Sequence, residues 1–109
     1  MMLTSSPNTV RAGREIDLTS LNAFDTILLQ THNSEYRLLL LDPKTGRALI
    51  EGGMYLVEPS EGLVMGSGIA GSEFKSGAIS VGCRMEIWVD EKVFITSPIE
   101  SIEVKHNGG

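Results

Sequence analysis

Cysteine is nearly absent from this chain. Cys83 is the only one, so no disulfide forms within the chain, and a reducing, cytoplasmic compartment is expected. Long apolar runs are missing as well. The longest aliphatic stretch, Leu38-Leu39-Leu40-Leu41, falls far short of the ~20 apolar residues that cross a bilayer, and no membrane partner is expected. The opening Met1-Met2-Leu3-Thr4-Ser5-Ser6-Pro7 lacks the basic and apolar regions of a secretory signal, and His106-Asn107-Gly108-Gly109 carries no lipidation box. Basic residues are scarce: nine Lys and Arg against fourteen Asp and Glu leave a formal net charge of −5. That balance is poor material for tracking a nucleic-acid backbone, so nucleic acid is not the expected partner.

What remains is an ordinary globular composition, 41% hydrophobic and 21% charged over 109 residues, the size of one domain. From Glu58 onward Glu61, Glu73, Glu86, Asp90, Glu91, Glu100 and Glu103 outnumber Lys75, Arg84, Lys92 and Lys105. The acids are interspersed, as on a solvated outer face; the sharper reading is an acidic surface for a basic partner or a cation.

Turn chemistry recurs along the chain at His32-Asn33-Ser34, Asp42-Pro43-Lys44-Thr45-Gly46, Gly52-Gly53, Pro59-Ser60-Glu61-Gly62, Gly66-Ser67-Gly68, Ser76-Gly77, Asp90-Glu91 and Ser97-Pro98. Between these turns lie short β-compatible segments with no room for long helices. The spacing predicts an all-β domain, a small antiparallel barrel or sandwich of about six to eight short strands with at most short helical turns. Twelve glycines suit its corners and bulges. The domain is expected over residues 15–105, after a flexible arm over 1–14 and before a frayed tail over 106–109.

Three stretches sharpen this reading. Asp42–Gly46 suits a type I turn with Pro43 at its first central position and Gly46 at positive φ. Arg84-Met85-Glu86-Ile87-Trp88-Val89 alternates with period two, giving one buried and one wetter face, before Asp90-Glu91 closes a tight hairpin. Tyr36–Leu41 instead carries leucines to both faces, so that strand needs cover on both sides, from a loop or from a second subunit.

Motifs for chemistry are thin. Gly66-Ser67-Gly68-Ile69-Ala70-Gly71 satisfies G-x-G-x-x-G, with Asp90 about twenty residues on. A dinucleotide site also needs a helix aimed at the pyrophosphate and a crossover of roughly thirty residues. The next strand candidate begins at Ala78, which leaves no space for it. As a loop with Ser67, Ser72, Lys75 and Ser76, the Gly66–Gly77 segment retains the means to hold a small anion. Cys83 with His32 is the minimum for nucleophilic catalysis. Cys83 equally fits as a small buried hydrophobe, since adjacent strand residues turn Arg84 to the other face. No pair of His or Cys stands at metal-ligand spacing, and no buried carboxyl pair is identifiable. No catalytic residue, metal or cofactor is therefore expected.

One combination is more specific than these. Thr31-His32-Asn33-Ser34-Glu35-Tyr36-Arg37-Leu38 is similar to the T-x-N-S-x-Y-x-L turn of a group of small bacterial β-domain proteins. So are Gly52-Gly53 with a following aromatic and Glu58-Pro59, and Val81-Gly82-Cys83-Arg84-Met85-Glu86. Thr96-Ser97-Pro98-Ile99-Glu100-Ser101-Ile102 resembles their T-S-P-[IV]-x-x-I segment. The likeness covers residues 31–104 and implies a compact β-domain with no known activity. Read on physics alone, Asn33 tolerates left-handed backbone and Ser34 bonds back into the turn, pinning the first hairpin. Pro98, lacking an N–H, belongs at an edge or bulge.

The expectation is a non-catalytic binding or assembly module, with a protein partner or a second copy of the chain. His32, Asn33, Tyr36 and Trp88 are its candidate partner-binding residues. The alternatives are a small-ligand or single-stranded nucleic-acid binder that stacks on a barrel face near Trp88, and an enzyme using Cys83 and His32.

Overall fold

A computed structural model describes residues 9–11, 13–69 and 74–107. The strands are β1 (Thr9–Arg11), β2 (Glu15–Asp17), β3 (Thr26–Thr31), β4 (Glu35–Asp42), β5 (Arg47–Gly52), β6 (Leu56–Gly68), β7 (Lys75–Ser76), β8 (Ala78–Ser80), β9 (Arg84–Val89) and β10 (Lys92–Lys105), with a 3₁₀ turn at Leu18–Ser20. Every pairing is antiparallel. Hydrogen bonds close a ring in which β10 pairs with β3, β3 with β4, β4 with β5, β5 with β6, β6 with β9, and β9 again with β10. The chain is an all-β barrel. Among the described residues no helix is long and apolar enough to cross a membrane.

So few strands close because β6 and β10 are long enough to serve two neighbours each. The first part of β6 pairs with β5 and the rest with β9; β10 pairs first with β9 and then with β3. The switches are made at register shifts between Ile95 and Pro98, Ile99 and Ser101, and Val64 and Gly66, where an extra residue bends the strand. Pro59-Ser60-Glu61-Gly62, Gly66-Ser67-Gly68 and Ser97-Pro98, expected as turns, therefore lie inside strands. Pro98 sits at one of the shifts, where a missing N–H costs no ladder bond.

Alternating residues of the ring fill the interior: Ile27 and Leu29, Leu38 and Leu40, Ala48 and Ile50, Val64, Met85, Ile87 and Val89, then Ile99, Ile102 and Val104. Leu18 and Leu21, and Ile79 from the β2–β8 ribbon, join the same cluster. Each large aliphatic contributes about 1.5–3 kcal/mol by leaving water. On β4 the doubly apolar pattern resolves as Leu38 and Leu40 inside, with Leu39 and Leu41 half-buried on the outer face. Leu39 stands opposite Leu49 there.

No aromatic residue belongs to the buried core. Phe24, Tyr55, Phe74 and Trp88 are exposed, and only Tyr36 and Phe94 pack partly against the interior.

Within the stretch expected as an arm, Thr9–Arg11 pair with β10 through Glu103–Lys105; residues 1–8 and 12 lie outside the described residues, as do 70–73 of the Gly66–Gly77 segment and the final two glycines. His106, expected to fray, is held instead. Asp25 is buried beneath it, with its carboxylate 3.1 Å from His106 Nδ1. The same carboxylate accepts the backbone N–H of Asn107 at 2.9 Å and of Asn22 at 3.0 Å. Burial pushes the Asp25 carboxyl up, but these hydrogen bonds outweigh it and hold the group below its ordinary value. A carboxyl depressed on folding stabilises the fold above its unfolded value and loses that contribution as pH falls through its folded one. Urea midpoints measured from pH 6 down to pH 3 are thus expected to fall more steeply, below about pH 4, for the parent than for Asp25→Asn. Parallel slopes would remove Asp25 from the acid sensitivity of the fold.

Candidate functional site

The β3–β4 turn and the bend of β10 meet through a network of hydroxyls. Thr31 Oγ1 donates to the Ser34 carbonyl at 2.9 Å and accepts the Ser34 N–H at 3.0 Å and the Ser97 hydroxyl at 2.9 Å. Ser97 Oγ in turn accepts the Asn33 N–H at 3.0 Å. Thr96 Oγ1 donates to the Ser97 carbonyl at 2.8 Å and accepts the Met85 N–H at 3.0 Å, tying the bend to β9. The His32 N–H reaches the Pro98 carbonyl at 2.9 Å. Thr31 and Thr96 are both buried. The Thr31–Ser34 and Thr96–Pro98 segments, 62 residues apart at their closest (96 − 34), form one corner.

This geometry corrects one expectation. Asn33 does not adopt left-handed backbone; among the described residues, those other than glycine at positive φ are Phe24, Asp90 and Glu91. Side-chain hydroxyls, rather than a left-handed residue, fix the turn. The His32 ring points outward, 3.3 Å from Glu100 Oε2. Tyr36 is half-buried, and burial pushes its phenol up while Ser34 acts in the opposite direction. Cys83 is half-buried, and its backbone exchanges hydrogen bonds with Ser80 and Ile99. Its side chain shares no hydrogen bond with His32 among the described residues.

Beside this corner rises the β9–β10 hairpin. Asp90 and Glu91 both take positive φ, 52° and 66°, as a two-residue type I′ connection requires, so Val89 and Lys92 are the closing pair. Trp88 and Val93 are direct cross-strand partners on the outer face, with Leu63 of β6 on the other side of Trp88. Ile95 lies two residues along the same face, opposite Glu86. Trp88, Val93 and Ile95 are 43%, 53% and 62% exposed. The Trp88 indole N–H donates to Glu86 Oε2 at 2.7 Å, which fixes the ring against the sheet.

The inner face of the hairpin carries Phe94, whose ring lies 6.1 Å from that of Tyr55. Met54 and Tyr55, at the tip joining β5 to β6, and Val57, at the start of β6, are all strongly exposed. The Tyr55–Phe94 contact brings the β5–β6 tip, which follows the Tyr36–Gly52 pair, to the hairpin that carries Trp88, and the corner sets His32 and Asn33 against Pro98 and Ser97 of β10, the strand next to Trp88. Spacing in the sequence carries no signal for Val93, Ile95 and Met54, because their exposure depends on where the barrel leaves its strands uncovered.

No protein-family model matches this chain, and neither does any curated protein or solved structure. A concavity of about 600 Å³ lies on the outer face of β10, β3, β4 and β5, where Glu35, Glu51 and Glu103 lie around Arg37. Such a surface disfavours an anionic ligand. Acids also flank Trp88, at Glu86, Asp90 and Glu91, which opposes a phosphate backbone stacking there.

Proposed function

We propose that the protein is a non-catalytic assembly module that associates with a second copy of itself through the end of the barrel carrying Trp88, Val93 and Ile95. The observation that carries this reading is the placement of the large apolar side chains. An aliphatic interior leaves the aromatics outside, and aromatic residues outside are what protein interfaces enrich. Trp88, Val93 and Ile95 on the hairpin, and Met54, Tyr55 and Val57 near the β5–β6 tip, leave large apolar side chains exposed, the kind of surface that the core of a standard interface covers.

Light scattering over a range of micromolar concentrations tests the proposal. The parent is expected to exceed the 11.8 kDa of one chain, and the Val93→Lys/Ile95→Lys protein to remain at it. Both positions are solvent-facing, so the double variant should lose no more than about 0.5 kcal/mol of stability per site. A parent that scatters as a single chain at every concentration would end the proposal.

A further inference from the structure

We infer that two copies join edge to edge along β10, pairing Val93 of each with Ile95 of the other about a two-fold axis through Phe94. The inference rests on the assembly reading above and specifies its geometry.

In a two-residue hairpin the closing pair exchanges both of its hydrogen bonds, and such pairs then alternate along the ladder. Lys92 pairs with Val89 and Phe94 with Ile87, so Lys92 and Phe94 turn their N–H and C=O toward β9. Val93 and Ile95 must turn theirs the other way. On that side β3 begins its pairing only at Ile99. Among the described residues, the N–H and C=O groups of Val93 and Ile95 thus line an open edge, and these two side chains are among the most exposed apolar groups described. An open, apolar, β-branched edge is a template for another strand.

Two identical edges combine antiparallel in the isologous arrangement that two-fold symmetry demands. An axis at Phe94 places Val93 opposite Ile95 of the partner subunit in hydrogen-bonded pairs, with both N–H and both C=O groups of each used. Lys92 falls opposite Thr96 of the partner subunit, so the register sets no like charges against each other. The outer apolar strip of Trp88, Val93 and Ile95 then runs unbroken across the axis. The partner's Asp90 and the partner's Glu91 then abut the β3–β4 turn, whose His32 and Asn33 already hold Pro98 and Ser97 on that side, which gives that corner a place at the interface.

Phe94 meets its own copy as a non-hydrogen-bonded pair, with Cα atoms about 4.5 Å apart, inside the roughly 4.4–6.8 Å range that a disulfide spans. In a Cys83→Ser background, Phe94→Cys is expected to oxidise to a linked dimer about tenfold faster than Lys44→Cys, placed in the exposed β4–β5 turn. Because Phe94 also touches the interior, hydrogen exchange on the unmodified protein provides the independent measurement. Protection of the Val93 and Ile95 amides should rise about tenfold from low to high micromolar concentration, while that of Phe94, already bonded to β9, changes little. If a dimer forms by light scattering but Val93 and Ile95 exchange at an unchanged rate and Phe94→Cys links no faster than Lys44→Cys, edge pairing is wrong while assembly stands. A monomer at all concentrations overturns both.

Discussion

Gly62→Val is expected to lower the unfolding free energy by about 3 kcal/mol, a large fraction of the 5–15 kcal/mol that holds a domain of this size together. The backbone conformation is not the reason, because Gly62 is not at positive φ. The reason is crowding. Gly62 faces inward opposite Ala48, where the end of β9 crosses close to β6. A Cβ there would collide with the Trp88 carbonyl oxygen and sit 2.7 Å from Val89 Cγ2 and 3.3 Å from Ile50 Cδ1. Side chains this deep cannot move aside without opening the ring. Far-UV circular dichroism with urea should show the midpoint falling in the order Gly62, Gly62→Ala, Gly62→Val. A valine variant as stable as the parent would mean that β6 and β9 are further apart than described.

The second large effect concerns the hydroxyl corner. Thr31→Val keeps the volume and removes one oxygen, which strands the Ser34 N–H and the Ser97 hydroxyl at a buried position. Leaving buried donors without partners costs about 1–3 kcal/mol, so a loss of roughly 2 kcal/mol is expected. Ser97→Ala deletes the other half of the bridge and should cost less, since a hydroxyl and its need for a partner disappear together. The double variant is expected to fall short of the sum of the two, because both act on one network. Strict additivity in urea unfolding would show that the corner is not a single unit. Amide exchange at Asn33, whose N–H bonds to Ser97, should accelerate in either single variant.

Some of this architecture was legible in the residues. The alternation of Arg84–Val89 survives intact, with Met85, Ile87 and Val89 inside and Arg84 and Trp88 outside. Gly46 takes φ +84° and Asp90-Glu91 closes its hairpin, because turn chemistry is decided within a few residues. The continuity of β6 and β10 was not legible. Pro59, Gly62 and Ser97-Pro98 carry the local marks of turns, and only neighbouring strands convert them into bends of a longer ribbon. Contacts between distant residues were equally hidden: nothing near Asp25 announces His106, 81 positions away. For the candidate site, the residues mark His32, Asn33 and Tyr36 as one turn corner and Trp88 as an aromatic on a separate strand. That the corner and the Trp88 hairpin are joined through β10 depends on ring closure, and that Val93 and Ile95 stand open depends on where β3 starts to pair.

Ring closure also bears on how the chain is born. β3 receives one neighbour at once, from the hairpin with β4, but its other neighbour is the far half of β10, with Thr26 paired to Lys105. A ribosome makes β3 long before it makes that half. Until then Ile27 and Leu29 front an unsealed seam, and the nascent polypeptide must carry this seam through most of its synthesis. Closing so distant a contact is slow. The interval is one in which a chaperone able to mask a bare strand would most improve the yield of native protein.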